Sequence, residues 1–190
     1  GTAVPIYYDL KPSEVGEMIE RADTKLAFVS SKALPKFEAS VSHVQSVVTF
    51  GEGAGSREGV PGGFLRRAAP ELLSIDDALA RATAESRHKL AATIVRPDDL
   101  ASIVFTSGTT GGMKGVMLTH RNFMANLRSG RRSEPLNERD RVILVLPMHH
   151  ALPFMMGMGV GPAVGAETTF ENDLRRIRDR MAEVKPTLFL

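Results

Sequence analysis

Ile103-Val104-Phe105 runs directly into Thr106-Ser107-Gly108-Thr109-Thr110-Gly111-Gly112-Met113-Lys114-Gly115, and then into Val116-Met117-Leu118. An apolar run, a loop of glycines and hydroxyls, and a second apolar run read as strand, loop, strand. Four of the ten loop residues are glycine and four carry a hydroxyl, with one lysine near the end. Glycine lets the backbone take positive φ and come close to a ligand. Successive N–H groups can then point into one concavity and hold anionic oxygens. Ser107, Thr109 and Thr110 add hydroxyl donors, and Lys114 adds a charge that can reach a phosphate. Ligands of open α/β sheets bind beyond strand ends, where this loop sits. The residues alone favour a polyphosphate cradle but leave an inert, Gly-rich turn open.

Two better-known phosphate loops do not fit. A Walker A loop needs G-x-x-x-x-G-K followed by Ser or Thr. Counted from Gly108, its second glycine falls on Met113, and Gly115 follows Lys114. The dinucleotide pattern G-x-G-x-x-G fails at Ser56 after Gly51-Glu52-Gly53, and at Pro162 after Gly157-Met158-Gly159.

Outward from the loop, strand and helix signals alternate. Residues 4–8 form a short apolar run. Pro12 suits a helix start, and Val15, Met18, Ile19 and Ala22 mark one helical face. Residues 26–29 and 44–50 read as strands. Residues 51–63 hold six glycines and one proline and read as a loop. Ser74 with Asp76 and Asp77 predicts a capped helix running to about Ser86. Thr119 predicts the start of a helix that stops near Gly130. Residues 141–146 read as a strand buried on both faces. An apolar helix over 151–165 and a strand over 167–170 follow. Leu174, Ile177, Met181 and Val184 predict an amphipathic helix capped by Asn172 and ended before Pro186. Residues 187–190 begin another strand.

This alternation predicts an α/β fold with mostly parallel sheets flanked by helices. The expected organisation is a first βαβ part over 1–70, a connecting segment over 71–96, and a loop-bearing βαβ part over 97–190. The last residues lie inside an apolar run, so the sequence reads as a piece of a longer protein.

Composition narrows the function. With 190 residues the prior is one domain or slightly more, at about 150 residues each. The chain is 43% hydrophobic and 24% charged, which argues against disorder. It has no cysteine, so disulfides, thiolate metal sites and cysteine nucleophiles are excluded. A net charge of +2, no tryptophan and two tyrosines give little to steer or stack nucleic acid, and none is expected as a partner. Residues 142–166 carry no formal charge, yet they include Pro147, Pro153 and Pro162. A strand followed by a buried helix fits them better than a membrane span. Met155, Met156 and Met158 in that helix read as core, or as a soft surface for an apolar ligand. The arginines at 121, 128, 131, 132, 139 and 141 read as a solvated face. CoA phosphates or an acidic membrane surface are the alternatives for them.

Residues 106–115, followed by Val116-Met117-Leu118-Thr119-His120-Arg121-Asn122, resemble the phosphate-binding signature of the adenylate-forming enzymes. That family includes acyl-CoA synthetases, peptide-synthetase adenylation domains and luciferases. Thr2-Ala3-Val4-Pro5-Ile6-Tyr7 resembles the family's segment ahead of the loop. Val145-Leu146-Pro147-Met148-His149-His150 resembles its next motif, whose histidine or aromatic lies beside the acyl site. The wording is most similar to medium- and long-chain fatty acyl-CoA synthetases. Met113 departs from the pattern, standing where the family usually has proline.

The resemblance implies part of a large N-terminal AMP-binding domain of acyl-CoA synthetase-like fold, in an AMP-forming acid–thiol ligase of lipid metabolism. The reactants implied are ATP with Mg²⁺, CoA and a small-molecule carboxylate. Thr106, Ser107, Gly108, Thr109, Thr110, Gly111 and Lys114 would bind the nucleotide. Lys114 would compensate charge as pyrophosphate leaves, Thr106 would help hold Mg²⁺, and His150 would line the acyl site. The implied location is cytoplasmic, with contact to a membrane surface as an alternative. The family's downstream adenine, ribose and C-terminal lysine motifs are missing from these residues. The segment alone is therefore expected to be inactive. A non-catalytic nucleotide- or partner-binding module, and an aryl- or amino-acid-adenylating relative, remain as competing readings.

Overall fold

A computed structural model describes residues 1–7, 9–37, 44–55, 70–107, 112–133 and 136–190. They fall into two compact units. The first comprises Gly1–Tyr7, Arg96–Val104 and Val116–Leu190, and the second Tyr8–Val95 and Phe105–Gly115.

The second unit is built on a parallel sheet in the order β1 (Leu26–Ser30), β2 (Ser46–Phe50), β3 (Glu71–Ser74). Phe28 aligns with Val48, and Val48 with Leu73. The middle strand is buried on both faces at Val47, Val48 and Thr49, while β1 alternates. Thr49 keeps its buried hydroxyl satisfied by donating to the Leu73 carbonyl at 3.1 Å and accepting the Gly55 N–H at 2.7 Å. Helix α1 (Pro12–Arg21) starts on proline, and Glu14 reaches back to accept the Lys11 N–H at 2.8 Å. It buries Val15, Met18 and Ile19, the face the sequence predicts. A 3₁₀ turn, Ser31–Phe37, follows β1 and buries Leu34.

The region expected to connect the two halves holds β3 and two helices. Ser74 caps α2 (Ile75–Ala80), accepting the Asp77 N–H at 3.0 Å. The single helix expected to about Ser86 breaks at residues 81–83. There the Thr83 hydroxyl accepts the Ser86 N–H at 3.1 Å and caps a new helix, α3 (Ala84–Ala91). A side chain that binds backbone ahead of it favours a helix start over a helix interior.

Strands β4 (Leu100–Ser107) and β5 (Met113–Thr119) pair with each other on either side of the loop. The apolar run over 4–8 forms no strand among its described residues, and just ahead of it Ala3 makes one parallel bridge with Ser102. Ala3 donates to the Ala101 carbonyl at 2.9 Å and accepts the Ile103 N–H at 3.0 Å. The next donor in that ladder would be residue 5, and Pro5 has no N–H to give.

Helix α4 (His120–Ser133) starts as predicted at Thr119, whose N–H and hydroxyl both donate to Asn122 Oδ1 at 2.9 Å. It does not stop at Gly130. A Cβ there would lie 3.4 Å from Val160, an ordinary contact.

The first unit's parallel sheet has the order β7 (Glu167–Phe170), β6 (Arg141–Leu144), β8 (Leu188–Phe189). Val142, Ile143 and Leu144 are at most 2% exposed, so β6 is buried on both faces. The apolar helix over 151–165 is present in three pieces: α5 (Ala151–Met155), a π-turn (Met156–Val160) and α6 (Gly161–Val164). Pro162 lacks an N–H, and its ring would crowd the carbonyl four residues back in a regular helix. The wider turn ends two residues before it, at Val160. Asp173, rather than Asn172, opens the last helical stretch, accepting the Arg175 N–H at 3.1 Å. A 3₁₀ turn, Leu174–Arg176, then leads into α7 (Ile177–Val184). No helix among the described residues is long and apolar enough to cross a membrane.

Candidate functional site

The loop's two shoulders are described, and both belong to the second unit. Thr106 and Ser107 end β4, and Met113 and Lys114 open β5. Thr106 is exposed, and its hydroxyl lies 3.5 Å from the Lys114 carbonyl, at the limit of a hydrogen bond. That oxygen is therefore accessible. A hard oxygen donor of this kind suits Mg²⁺, which keeps several waters and takes few protein ligands. Among the described residues no cluster of three or more His, Asp or Glu side chains forms a metal site. Lys114 is exposed, and its ammonium makes no ion pair among the described residues. Gly108, Thr109, Thr110 and Gly111, the centre of the expected cradle, lie outside the described residues.

Helix α1 approaches the downstream shoulder. Glu17 Oε1 accepts the Met113 N–H at 3.4 Å, and Arg21 Nε pairs with the same oxygen at 2.9 Å. A Cβ on Gly112 would stand 3.5 Å from Arg21 Nη2 and 3.8 Å from Glu17 Oε1. Sequence reasoning missed both side chains. Their one signal is an i,i+4 charge pair on a helix, which is usually just surface.

His150 belongs to the first unit. It is exposed and occupies the position ahead of α5. Its carbonyl accepts the Phe154 N–H at 3.2 Å, and its own N–H donates to the Pro147 carbonyl at 3.1 Å. The backbone thus has a capping role, and the imidazole of this exposed residue lies beside the His149 ring. His149 was passed over as a site residue in the sequence. It stacks on Tyr7, with ring centroids 4.2 Å apart and planes at 26°, and its ring lies 3.9 Å from that of His150. Burial, and then the neighbouring His150, push the His149 pKa below its ordinary value. Both causes favour the neutral ring.

The arginine stretch divides by role. Arg121 grips Asp98 through two hydrogen bonds of 2.7 and 2.9 Å, which draws the Asp98 carboxyl below its usual range. Arg141 donates to the Val184 and Lys185 carbonyls at 2.8 to 2.9 Å and closes the end of α7. Arg128, Arg131 and Arg132 are exposed on α4 without an acidic partner among the described residues.

Paired strands β4 and β5 flank the glycine- and hydroxyl-rich segment, and each unit holds a three-stranded parallel sheet. The chain belongs to the AMP-binding enzyme family, whose model matches residues 1–190. Among curated proteins it is 30% identical over 193 residues to the peroxisomal long chain acyl-CoA synthetase 7 of Arabidopsis thaliana. That match covers 98% of this chain and 26% of the relative. It is 37% identical over 97 residues to long-chain-fatty-acid–CoA ligase 5 of Rattus norvegicus, covering 49% of this chain and 14% of the relative. Among solved structures it superposes on a long-chain-fatty-acid–CoA ligase from Archaeoglobus fulgidus with TM-score 0.72 and 23% identity. That superposition covers 99% of this chain and 34% of the other. The anthranilate CoA ligase AuaEII in complex with anthranoyl-AMP gives TM-score 0.73 at 21% identity, covering 99% and 34%. The chain thus spans about a quarter of the length of the first of these curated relatives. The α/β fold with parallel sheets is that of these ligases.

Proposed function

We propose that these residues are the phosphate-loop-bearing part of an enzyme that activates a carboxylic acid with ATP and passes it to CoA, and that the acid is a medium- or long-chain fatty acid. The observation that carries this reading is the 106–115 loop inside a chain matched by the AMP-binding family along its whole length.

In the first half-reaction a carboxylate oxygen attacks the α-phosphorus of ATP, and pyrophosphate leaves. In the second the CoA thiol displaces AMP from the acyl-adenylate, giving the thioester. The protein's task in the first step is to hold the chain of phosphates in line and to offset the charge that builds on the leaving group. Thr106, Ser107, Thr109 and Thr110 offer hydroxyls, and Gly108 and Gly111 offer close backbone. Lys114, exposed and without an acidic partner among the described residues, offers its ammonium to the β- and γ-phosphates. Mg²⁺, when bound, neutralises phosphate charge, and the accessible Thr106 hydroxyl is this chain's candidate ligand for it. His150, exposed just ahead of α5, would line the acyl site, the role its motif suggests.

Residues 1–190 form part of the large N-terminal domain in this reading, with the adenine, ribose and C-terminal lysine groups supplied by the remainder. The test is product formation. The full-length protein, given ATP, Mg²⁺, CoA and a panel of fatty, aryl and amino acids, should form acyl-CoA preferentially from fatty acids of medium or long chain. The 190-residue chain alone should form none. An aryl or amino acid preference would move the substrate class, and turnover by the short chain would overturn the fragment reading.

A further inference from the structure

We propose that Glu17 is a positioning residue for the phosphate loop: its carboxylate holds the Met113 N–H and thereby fixes the backbone that carries Lys114. This rests on the phosphate role proposed for Lys114.

Val15, Met18 and Ile19 of α1 are buried at 3, 5 and 0% exposure, so the helix is anchored and Glu17 leaves it from a fixed backbone. Arg21 lies one turn further on and pairs with Glu17 Oε1 at 2.9 Å, which restricts the carboxylate's rotamers. That same oxygen accepts the N–H of Met113, 96 residues away in the chain, at 3.4 Å. Gly112 has no side chain to stand between the loop and these two groups, and a Cβ there would already reach Arg21 and Glu17. Met113 is the first residue of β5, and Lys114 is the next. Fixing the Met113 amide therefore fixes where the lysine stem departs.

Charge supports the same arrangement. A bare carboxylate beside a polyphosphate site would repel the ligand. Arg21, held against Glu17, offsets that charge, so the acceptor can sit near the loop without a net negative field. Methionine at 113 supplies the donor. Proline, having no N–H, could not.

The experiment is equilibrium binding of Mg·ATP and of AMP to the full-length protein by calorimetry. AMP lacks the β- and γ-phosphates that Lys114 is proposed to meet. Glu17→Ala should weaken Mg·ATP about fivefold, the order expected for loss of one long charge-assisted hydrogen bond, and leave AMP unchanged. Glu17→Gln keeps a carbonyl acceptor and should bind Mg·ATP close to the parent. In a Met113→Pro background, which has no donor, Glu17→Ala should have no further effect. Unchanged Mg·ATP affinity in Glu17→Ala overturns the proposal. So do equal losses for Mg·ATP and AMP, or a full additional loss in the Met113→Pro background. Should Met113→Pro not fold, the alanine and glutamine variants with the AMP control still decide. Lys114→Ala, measured alongside, separates the two readings. If it weakens Mg·ATP while Glu17→Ala does not, only the positioning role falls. If it leaves Mg·ATP binding unchanged, the phosphate role falls and the Glu17 role with it.

Discussion

Lys114 is exposed, and its ammonium makes no ion pair among the described residues, so its removal should cost little stability and much chemistry. Lys114→Ala should lower the adenylation rate by about a hundredfold, the range seen when one preorganised charge-stabilising group is lost. Its unfolding free energy should stay within about 0.5 kcal/mol of the parent. Parallel rate assays and urea melts check both. His149 makes a different demand. Its folded pKa is lowered, so on acidification the unfolded chain takes up the proton first. The neutral ring's contribution to stability is present above the ordinary histidine value of about 6.5 and is lost as pH falls below it. An NMR titration should show His149 titrating below 6.5. Tyr7→Leu, which removes the stacked ring, should move that midpoint upward. A midpoint that does not move would mean that Tyr7 contributes nothing to the burial.

At the scale of elements, two glycines set how closely the helical stretch over 151–164 meets the β6–β7 sheet. A Cβ on Gly157 would stand 2.7 Å from Leu144 Cδ1 and 2.7 Å from Phe170 Cε1. One on Gly161 would stand 2.5 Å from Thr168 Oγ1. Such separations require the neighbours to move. Gly157→Ala and Gly161→Ala should each cost about 1 to 3 kcal/mol, read as a lower urea midpoint at unchanged slope. A cost near zero would mean that the helix shifts freely. Several elements were legible because their cause is local. The Thr119 cap, the Val15/Met18/Ile19 face, the apolar residues of β6 and the apolar runs that become β4 and β5 are all written within a few residues of where they act. The misread elements depend on neighbours distant in the chain. Gly130 looks like a helix stop, yet α4 continues through it to Ser133 and meets Val160 there. The apolar run over 4–8 forms no strand among its described residues, because the ladder that Ala3 begins with Ser102 meets the missing N–H of Pro5.

At the scale of the whole molecule, spacing and residue type alone were enough to propose the loop and its lysine as a phosphate site. The supports were not. Glu17 meets Met113 across 96 residues, and Tyr7 meets His149 across a longer span, so only folding brings those pairs together. The chain spans 26% of its Arabidopsis relative, and the proposed reaction requires groups from beyond these residues. The most direct measurement is carboxylate-dependent ATP–pyrophosphate exchange by the full-length protein, parent against Lys114→Ala. The prediction is exchange that requires a fatty acid and Mg²⁺ and falls about a hundredfold in the variant. No exchange with any carboxylic acid, or equal exchange in parent and variant, would contradict it.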